Sequence, residues 1–530
     1  MERNKSDLLK EEKKNLHQYL DDSDPTLREV EVRTKVTPFL YYIVIVASLS
    51  GFAVGYDTAI VGNALLMLGK DYNLTDTSKT MIVGATTLGG TIGSLGAGWL
   101  ADFSGRKSAI YVAAAFFIIG SLLMALSSTF TVLLISRLIS GFGIGIGNMI
   151  ATLYICEISP KFHRGELVTY NMVLSNAAII ISVLTGLLFE SYSGGWRWMS
   201  AAASVIPLIQ LFALLFIPET PRFLVKKSDF ENARKVLSEI YPNSSHEFLD
   251  KEIEAIRSVV AEDTKSSYID LLHYPNLKPS LIVIAIITLP EFCGFDTIMY
   301  YSTILLTMAG YNNVNDILKI SLIVYGLNFI ATVLGLFLVD RVGRRKLLLY
   351  TLFAAIIGLF LLGLSFVFIT GFTTKQDTCS DYKNNCNGCL GDGRCVFSKQ
   401  NGGICVLKDN FNLFDAYDTC PNNHTSVFII CSLTFSLMTY ALGLGNVPWL
   451  LQSELLPLNI RGRGVGVSTA SNWVFTFVFA ISFLPLVGVI TVSGTLWMYA
   501  IFTLLTWWFV FLFIPETAGK SLEEIEKLLK

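Results

Sequence analysis

Apolar residues occur in long tracts along most of the chain, separated by short polar or charged segments. Each tract is about 20 residues long, the length that an α-helix needs to cross the hydrocarbon core of a bilayer. The tracts form two groups of six. They lie near residues 39–64, 81–101, 108–127, 131–155, 168–189 and 197–217, and near 281–309, 318–339, 347–371, 426–451, 465–487 and 492–514. The pattern therefore predicts an all-α polytopic membrane protein with twelve transmembrane helices.

Composition agrees with this prediction, and charge orients the chain. Of the 530 residues, 52% are hydrophobic and only 15% are charged, whereas a soluble domain has about 25% charged residues. Alternate loops are basic, at residues 104–107, 161–164, 340–346 and 461–463. Because basic loops stay on the cytoplasmic side, both termini and the charged segment 218–278 are predicted to be cytoplasmic. Residues 1–37 lack the apolar core of a signal peptide and are predicted to be a soluble tail.

Short motifs recur in the two groups of tracts, which indicates an internal repeat. Asp102 and Asp340 are 238 positions apart, whereas Glu157 and Glu454 are 297 positions apart. The second half must therefore contain an extra segment, and the polar stretch 372–425 is the candidate. Two like-oriented halves predict a pseudo-twofold axis along the membrane normal, with a substrate site between them near the membrane midplane.

The predicted organisation has six parts. They are a cytoplasmic tail (1–37), an N-terminal six-helix bundle (38–217), a cytoplasmic helical linker (218–278), a C-terminal six-helix bundle (279–514), a Cys-rich extracellular insert within it (372–425) and a cytoplasmic C-terminal tail (515–530). Integral insertion, in the plasma membrane or an endomembrane, is the expected localisation.

The recurring motifs resemble those of the sugar porter family of the major facilitator superfamily. They are "GWLADFSGRK" (98–107), "GLFLVDRVGRRK" (335–346), "PETPRFL" (218–224), "PETAGKSLEEIE" (515–526), "GYDTAIV" (55–61) and "VPWLLQSE" (447–454). The resemblance covers residues 38–528. It implies six plus six helices, a cytoplasmic helical segment at about 222–270, and alternating access to one central site.

Charged residues of the repeated loops are candidates for a gating role. Paired acidic and basic side chains at cytoplasmic helix ends can hold neighbouring helices together and release when that side opens. The expected pairs are Asp102 with Arg106, Asp340 with Arg344, Glu157 with Arg164, and Glu454 with Arg461. The alternative is that the basic residues only anchor the topology.

The insert contains six of the nine cysteines: Cys379, Cys386, Cys389, Cys395, Cys405 and Cys420. On the extracellular side these cysteines are candidates for disulfides. Fifteen pairings are possible. Zinc binding is the alternative interpretation. "CNGCLGDGRCVFSKQNGGIC" (386–405) resembles the small cysteine-rich module of plexins, semaphorins and integrins, which leaves an extracellular protein partner open. Asn423 in "NHT" is a candidate glycosylation site. Within the sugar porters, an enlarged Cys-rich loop here resembles the proton–myo-inositol cotransporters.

Ionisable residues inside membrane spans are costly and are candidates for function. Asp57 matches the first-span aspartate of proton-coupled sugar porters, and Arg137 matches the arginine beside it. Burial favours the neutral acid and a nearby arginine favours the carboxylate, so a pairing that changes between access states would bind and release a proton. A constant structural ion pair is the alternative.

The seventh span departs from the family pattern. Where sugar porters have a pair of glutamines and then an asparagine, this chain has Pro290 with Glu291 and then Asp296. Five positions apart on one helix, the two acids should point about 140° apart and are not expected to form a dyad. Pro290 is expected to bend the helix. The acids could accept hydrogen bonds from polyol hydroxyls, carry a further proton, or favour a cationic substrate.

Other substrate contacts follow from the resemblance alone. They are Tyr300, Tyr301, Asn328, Trp449, Asn472 and Trp473. The predicted function is proton-coupled symport of myo-inositol or a related polyol or sugar. A facilitative hexose uniporter and a non-transporting nutrient receptor are the rivals. No motif of an enzyme, cofactor, metal site or nucleic-acid-binding protein is recognised.

Overall fold

The computed structural model describes residues 36–72, 74–160, 163–242, 244–263, 268–311, 313–370, 379, 395–397, 405–407, 424–457 and 460–518. Nearly all of the predicted N-terminal tail and most of the predicted insert therefore lie outside the described residues. The described chain is almost wholly helical.

The first half consists of long helices and one interrupted helix. The long helices are α1 (Pro38–Tyr72), α2 (Asp76–Ser104), α3 (Arg106–Leu126), α4 (Phe130–Ile158) and α5 (Arg164–Phe189). The sixth apolar tract forms α6 (Gly195–Ala203), α7 (Val205–Ala213) and a 3₁₀ turn (Leu214–Phe216). Threonine caps two of these helices: Thr75 accepts from the Ser78 N–H and Thr129 from the Val132 N–H, which fixes where α2 and α4 begin.

The linker is also helical. It contains α8 (Pro221–Lys226), α9 (Phe230–Ile240), α10 (His246–Asp263) and a 3₁₀ turn (Tyr268–Leu272). Apolar residues of this linker join the core of the first half, so the linker packs against the ends of those helices.

The second half has the same kind of helices with more breaks. They are α11 (Leu277–Phe292), α12 (Phe295–Met308), α13 (Val314–Val342), α14 (Arg344–Thr370), α15 (His424–Leu442), α16 (Val447–Leu455) and α17 (Arg461–Phe513). Inside α17, Thr491 is non-helical, with φ 68° and ψ 167°. This break falls between the two last predicted tracts.

Ten helical segments of the described chain are long and apolar enough to cross a membrane. The last of them, Gly462–Phe513, has 52 residues and includes both the eleventh and the twelfth predicted tracts. Helix α2, which contains the second predicted tract, is not among the ten, because its sequence is rich in glycine, threonine and serine. Large apolar side chains such as Trp99 and Phe103 are exposed and stack on each other at 5.6 Å, as expected for a lipid-facing surface.

The small residues of α2 allow it to lie directly against α4. A Cβ atom added at Gly93 would collide with the Phe142 carbonyl, and one added at Gly145 would collide with the Gly90 backbone. Small residues at helix interfaces in membranes permit this close backbone approach.

The two halves contact each other at both ends of α5. At its start, a Cβ added at Gly165 would lie 3.2 Å from Leu450. Just after its end, the Glu190 carboxylate accepts a hydrogen bond from Asn315. Between these ends, Thr303 donates to the Gly62 carbonyl across the two halves at 2.9 Å. The two halves are therefore in contact near both ends of α5 and between α1 and α12.

One small element departs from the all-α prediction. Strands β1 (Cys395–Phe397) and β2 (Cys405–Leu407) pair antiparallel, with Val396 opposite Val406. They lie within the residues of the predicted insert. Cys379 and Cys395 form a disulfide, and Cys405 is also disulfide-bonded. Cys386, Cys389, Cys420 and Asn423 lie outside the described residues.

Candidate transport site

A buried ion pair joins α1 and α4. The guanidinium of Arg137 donates to both carboxylate oxygens of Asp57, with Nη1 to Oδ1 at 2.6 Å and Nη2 to Oδ2 at 2.9 Å. The two side chains are 1% and 6% exposed. A bidentate geometry of this kind satisfies both oxygens and is a strong form of carboxylate recognition. The structure thus brings together the two residues predicted to handle protons.

The seventh span is broken directly after Glu291. Helix α11 ends at Phe292, and Gly294 has φ +72°, a left-handed conformation that glycine adopts without strain. Helix α12 then begins at Phe295. Pro290 lies inside α11, so the break follows it by a few residues rather than coinciding with it.

This break makes the expected separation of Glu291 and Asp296 wrong. The prediction assumed one continuous helix, in which the two side chains would diverge. Because the chain turns at Cys293 and Gly294, the two carboxyl groups meet and are within hydrogen-bonding contact of each other. Glu291 is buried in the second half, and Asp296 is partly buried beside it.

Glu291 and Asp296 are called the carboxyl pair below. Two other helices donate hydrogen bonds to this pair. Asn472 of α17 donates from Nδ2 to Glu291 Oε1 at 2.7 Å. The Tyr440 hydroxyl of α15 donates to Asp296 Oδ1 at 3.3 Å. The Tyr440 ring also stacks on Phe295 with a centroid separation of 4.6 Å. The pair therefore links α11 and α12 to α15 and α17.

The two predicted tyrosines of α12 have different surroundings. Tyr300 faces the first half, within electrostatic reach of Asp57, Glu291 and Asp296. The Tyr301 hydroxyl donates to the Ala480 carbonyl at 2.9 Å, and its ring stacks on Phe483. Tyr300 thus lies near both the ion pair and the carboxyl pair, whereas the Tyr301 hydroxyl contacts Ala480 of the second half and Thr80 of the first half.

The remaining predicted contacts are spread around the same region. Trp473 is 6% exposed and packs against Gly90 of α2, and its indole Nε1 has no hydrogen-bond partner in the described structure. Asn328 donates to the Leu437 carbonyl at 2.9 Å and so ties α13 to α15. Trp449 is half-buried on α16. Asn328 already has a backbone partner, whereas Trp473 has a free donor.

Tyr440 and Asn446 were not among the predicted site residues. Asn446 donates to the Ala441 carbonyl at 3.1 Å and to the Thr332 carbonyl at 3.4 Å, so it fills the break between α15 and α16. The signal for Tyr440 was weak, because the same span also contains Ser432, Thr434, Ser436 and Thr439. Its partner Asp296 could be found only from the fold.

The first charged cluster lies at the ends of α2, α3 and α4. Arg106 bonds Glu157 at 3.0 Å and Asp102 at 3.4 Å, and the Thr220 hydroxyl donates to the other Glu157 oxygen at 2.7 Å. The expected pairing of Glu157 with Arg164 is therefore wrong. Arg106 sits at the start of α3, directly beside the end of α4, and together with Thr220 it occupies both carboxylate oxygens.

The second half repeats this arrangement. Arg344 bonds Glu454 at 3.5 Å, and the Thr517 hydroxyl donates to the other Glu454 oxygen at 2.7 Å. Glu454 is thus held by Arg344, where Arg461 was expected. The side chains of Asp340 and Arg461 lie outside the described part of the structure.

Two glutamates of the repeated "PET" motifs complete these clusters and were missed as site residues. Glu219 accepts from the Arg106 N–H at 3.1 Å, and Glu516 accepts from the Arg344 N–H at 2.9 Å. Burial raises the pKa of Glu219 above its ordinary value, while N–H donors from Thr220 and Lys107 act in the opposite direction. The repeat of "PET" at a fixed offset was the signal that could have found them.

The apolar helices and the match to a family of transporters identify a multi-pass integral membrane transporter, not an enzyme. Residues 43–386 and 411–529 match the family described as Sugar (and other) transporter, and the chain belongs to this family.

Two relatives and one solved structure illustrate the likeness. The chain is 33% identical to Myo-inositol transporter 1 of Cryptococcus neoformans, over 96% of this chain and 84% of the relative. It is 32% identical to the Proton myo-inositol cotransporter of Homo sapiens, over 92% of this chain and 82% of the relative. A structure of the proton:xylose symporter XylE bound to 6-bromo-6-deoxy-D-glucose has a TM-score of 0.71 and 23% identity, over 94% of this chain and 100% of that one.

Proposed function

We propose that the protein is a secondary active transporter that carries myo-inositol or a related polyol together with protons. Transport takes place by alternating access to the polar cluster between the two halves. The named activities of the relatives support both the substrate and the coupling ion. A sugar remains within the proposed substrate class.

The observation that carries the substrate proposal is the free donor of Trp473. A buried N–H without an acceptor costs about 1–3 kcal/mol, and Trp473 Nε1 is such a group between the two halves. A polyol hydroxyl can accept this hydrogen and donate its own. The other residues of the proposed site are Tyr300, Asn472, Glu291, Asp296, Tyr301, Asn328 and Trp449.

The organisation proposed for the chain is twelve spans in two six-helix bundles. It counts α2 as a span and divides α17 at Thr491. The proposed boundaries are those predicted from the sequence, with both termini and the linker cytoplasmic and the protein in the plasma membrane. In this arrangement the Arg106–Glu157 and Arg344–Glu454 clusters lie on the cytoplasmic side and hold it closed.

The Cys-rich insert is proposed to be extracellular, with its cysteines in disulfides and a glycan on Asn423. The disulfide between Cys379 and Cys395 supports an oxidising environment for these residues.

The test is uptake of labelled myo-inositol and of labelled glucose in cells with low background transport, at mildly acidic and at neutral external pH. The proposal predicts myo-inositol uptake that rises at acidic pH, and loss of that rise in Asp57→Asn. Glucose uptake that is independent of external pH would favour the hexose uniporter. Absence of uptake for both solutes despite surface expression would favour the receptor.

A further inference from the structure

We propose that Glu291 and Asp296 form a proton-binding site that holds one proton between their carboxyl groups, separate from the Asp57–Arg137 ion pair. The inference rests on the proposed function for the identity of the coupling ion. It goes further by naming the residues that carry the proton in the conformation described above.

The surroundings of Glu291 indicate which atom holds the proton. Its Oε1 accepts from Asn472 at 2.7 Å. Its Oε2 is buried and has no N–H or hydroxyl donor in the described structure, and the Asp296 carboxyl group lies within hydrogen-bonding contact of the Glu291 carboxyl group. The Thr476 hydroxyl also lies beside Glu291, but it donates its hydrogen to the Asn472 carbonyl at 2.9 Å. A proton on Glu291 Oε2, donated to Asp296, satisfies both groups.

No nearby positive charge replaces this proton. Among the described residues, no lysine, arginine or histidine forms an ion pair with either acid, and Arg137 is bound to Asp57. The titratable groups that face the pair are Tyr300, Tyr440, Tyr499 and Cys293. Since unperturbed tyrosine and cysteine titrate at about 10 and 8.5, these groups are neutral near pH 7. Two adjacent carboxylates that lie inside a membrane span and face no cation cannot both stay ionised.

Asp57 has the opposite surroundings in the same conformation. Both of its oxygens accept from the Arg137 guanidinium, at 2.6 Å and 2.9 Å. Arginine remains charged, so this geometry belongs to the carboxylate form of Asp57. In this conformation the proton is therefore on the carboxyl pair and not on Asp57.

The location of the pair connects its protonation to helix movement. The acids lie on either side of the break at Cys293 and Gly294, and α15 and α17 hold one acid each through Tyr440 and Asn472. Loss of the shared proton leaves two like charges across the break. Their repulsion favours separation of α11 from α12, so release of the proton and opening of the site are coupled.

The first experiment measures protons and myo-inositol moved together by purified protein in liposomes that contain a pH indicator. Glu291→Gln is the test variant, because its amide donates to Asp296 as the protonated acid does but cannot release the proton. The expected result is substrate-driven proton movement in wild type and a lower proton-to-inositol ratio in the variant. Glu231→Gln, on the exposed face of α9, is the control and should keep the wild-type ratio.

A second experiment does not depend on transport. Infrared difference spectra of the protein in lipid at neutral pH should show the carbonyl band of a protonated carboxylic acid in wild type and in Asp57→Asn. The band should be absent in Glu291→Gln. If that variant does not fold, absence of the band from wild type still overturns the inference.

The outcomes separate the two proposals. A Glu291→Gln protein with the wild-type proton ratio overturns the carboxyl pair as the proton site and leaves the proposed symport intact. A wild-type protein that moves myo-inositol without protons, or with Na⁺ in their place, contradicts the proposed coupling itself.

Discussion

Arg137 holds both carboxylate oxygens of Asp57 in the apolar interior of the first half. Removing one member of a buried ion pair leaves the other charge without compensation, at a cost of about 3–5 kcal/mol. We therefore expect Asp57→Asn to lower thermal stability in detergent markedly. The double variant Asp57→Asn/Arg137→Met should recover most of the loss. If the effects of Asp57→Asn and Arg137→Met on stability simply add in the double variant, the two side chains do not stabilise the protein as an ion pair.

We expect the Tyr440 hydroxyl to affect transport only through its hydrogen bond to Asp296. Tyr440→Phe keeps the stacking on Phe295 and removes one hydrogen bond to a carboxyl group, worth about 1.5–3 kcal/mol when the acceptor is charged. We expect a higher KM for myo-inositol and an altered pH dependence of uptake. The control is Tyr325→Phe, whose hydroxyl bonds Ser302 and the Met299 carbonyl. Equal effects of the two variants would argue against a special role for Tyr440.

The two charged clusters are predicted to differ in strength. Arg106 bonds Glu157 at 3.0 Å with both side chains about 5% exposed, whereas Arg344 bonds Glu454 at 3.5 Å with side chains 14% and 19% exposed. Because solvent weakens ion pairs, Arg106→Gln should open the cytoplasmic side more than Arg344→Gln does.

The measurement for this prediction is labelling of a cysteine introduced into the central site, with an impermeant thiol reagent applied from the cytoplasmic side. The charge-reversed double variant Arg106→Glu/Glu157→Arg should restore part of the wild-type protection. A stronger effect from Arg344→Gln would contradict the ranking.

Burial of Glu219 predicts that the stability of the folded protein depends on pH and that the contribution of this residue falls as the pH rises. Its pKa in the folded protein is raised above the ordinary value of 4.5, so its stabilising contribution is present at low pH and is lost as the pH rises above that value. Glu219→Gln cannot ionise. The variant should therefore gain thermal stability relative to wild type as the pH is increased from acidic to neutral. A difference that does not change with pH would contradict this.

Helix α2 offers a matched pair of substitutions for the contact with α4. A Cβ at Gly93 would collide with the Phe142 carbonyl, whereas nothing lies within 4 Å of a Cβ at Gly96. Overpacking a tight contact costs about 1–3 kcal/mol. Gly93→Ala should therefore lower the melting temperature, and Gly96→Ala should leave it unchanged or raise it slightly. Similar melting temperatures for both variants would show that the helices are not in tight contact.

The helical fold could be predicted closely from the sequence because apolar tracts of membrane length have few alternative structures. Helix α2 shows the limit of hydropathy. Its glycines serve a helix–helix contact, which lowers its apolar character without removing it from the bundle.

The site could be predicted less well. The positions of Asp57 and Arg137 followed from motifs, but the contact between Glu291 and Asp296 depends on a backbone turn at Gly294 that helical spacing does not show. In the same way, the predicted partner of Glu157 was wrong, because Arg106 and Arg164 are equally plausible partners when only the sequence is known. Only the packing of α3 beside α4 decides between them.

Proton-driven accumulation tests the account most directly. Purified protein in liposomes is given labelled myo-inositol at equal concentration on both sides, and an inward proton gradient is then imposed. The account predicts that myo-inositol rises inside above the outside concentration and that a protonophore abolishes the rise. The account would be contradicted if the liposomes exchange myo-inositol but its concentration stays equal on both sides of the membrane under the proton gradient.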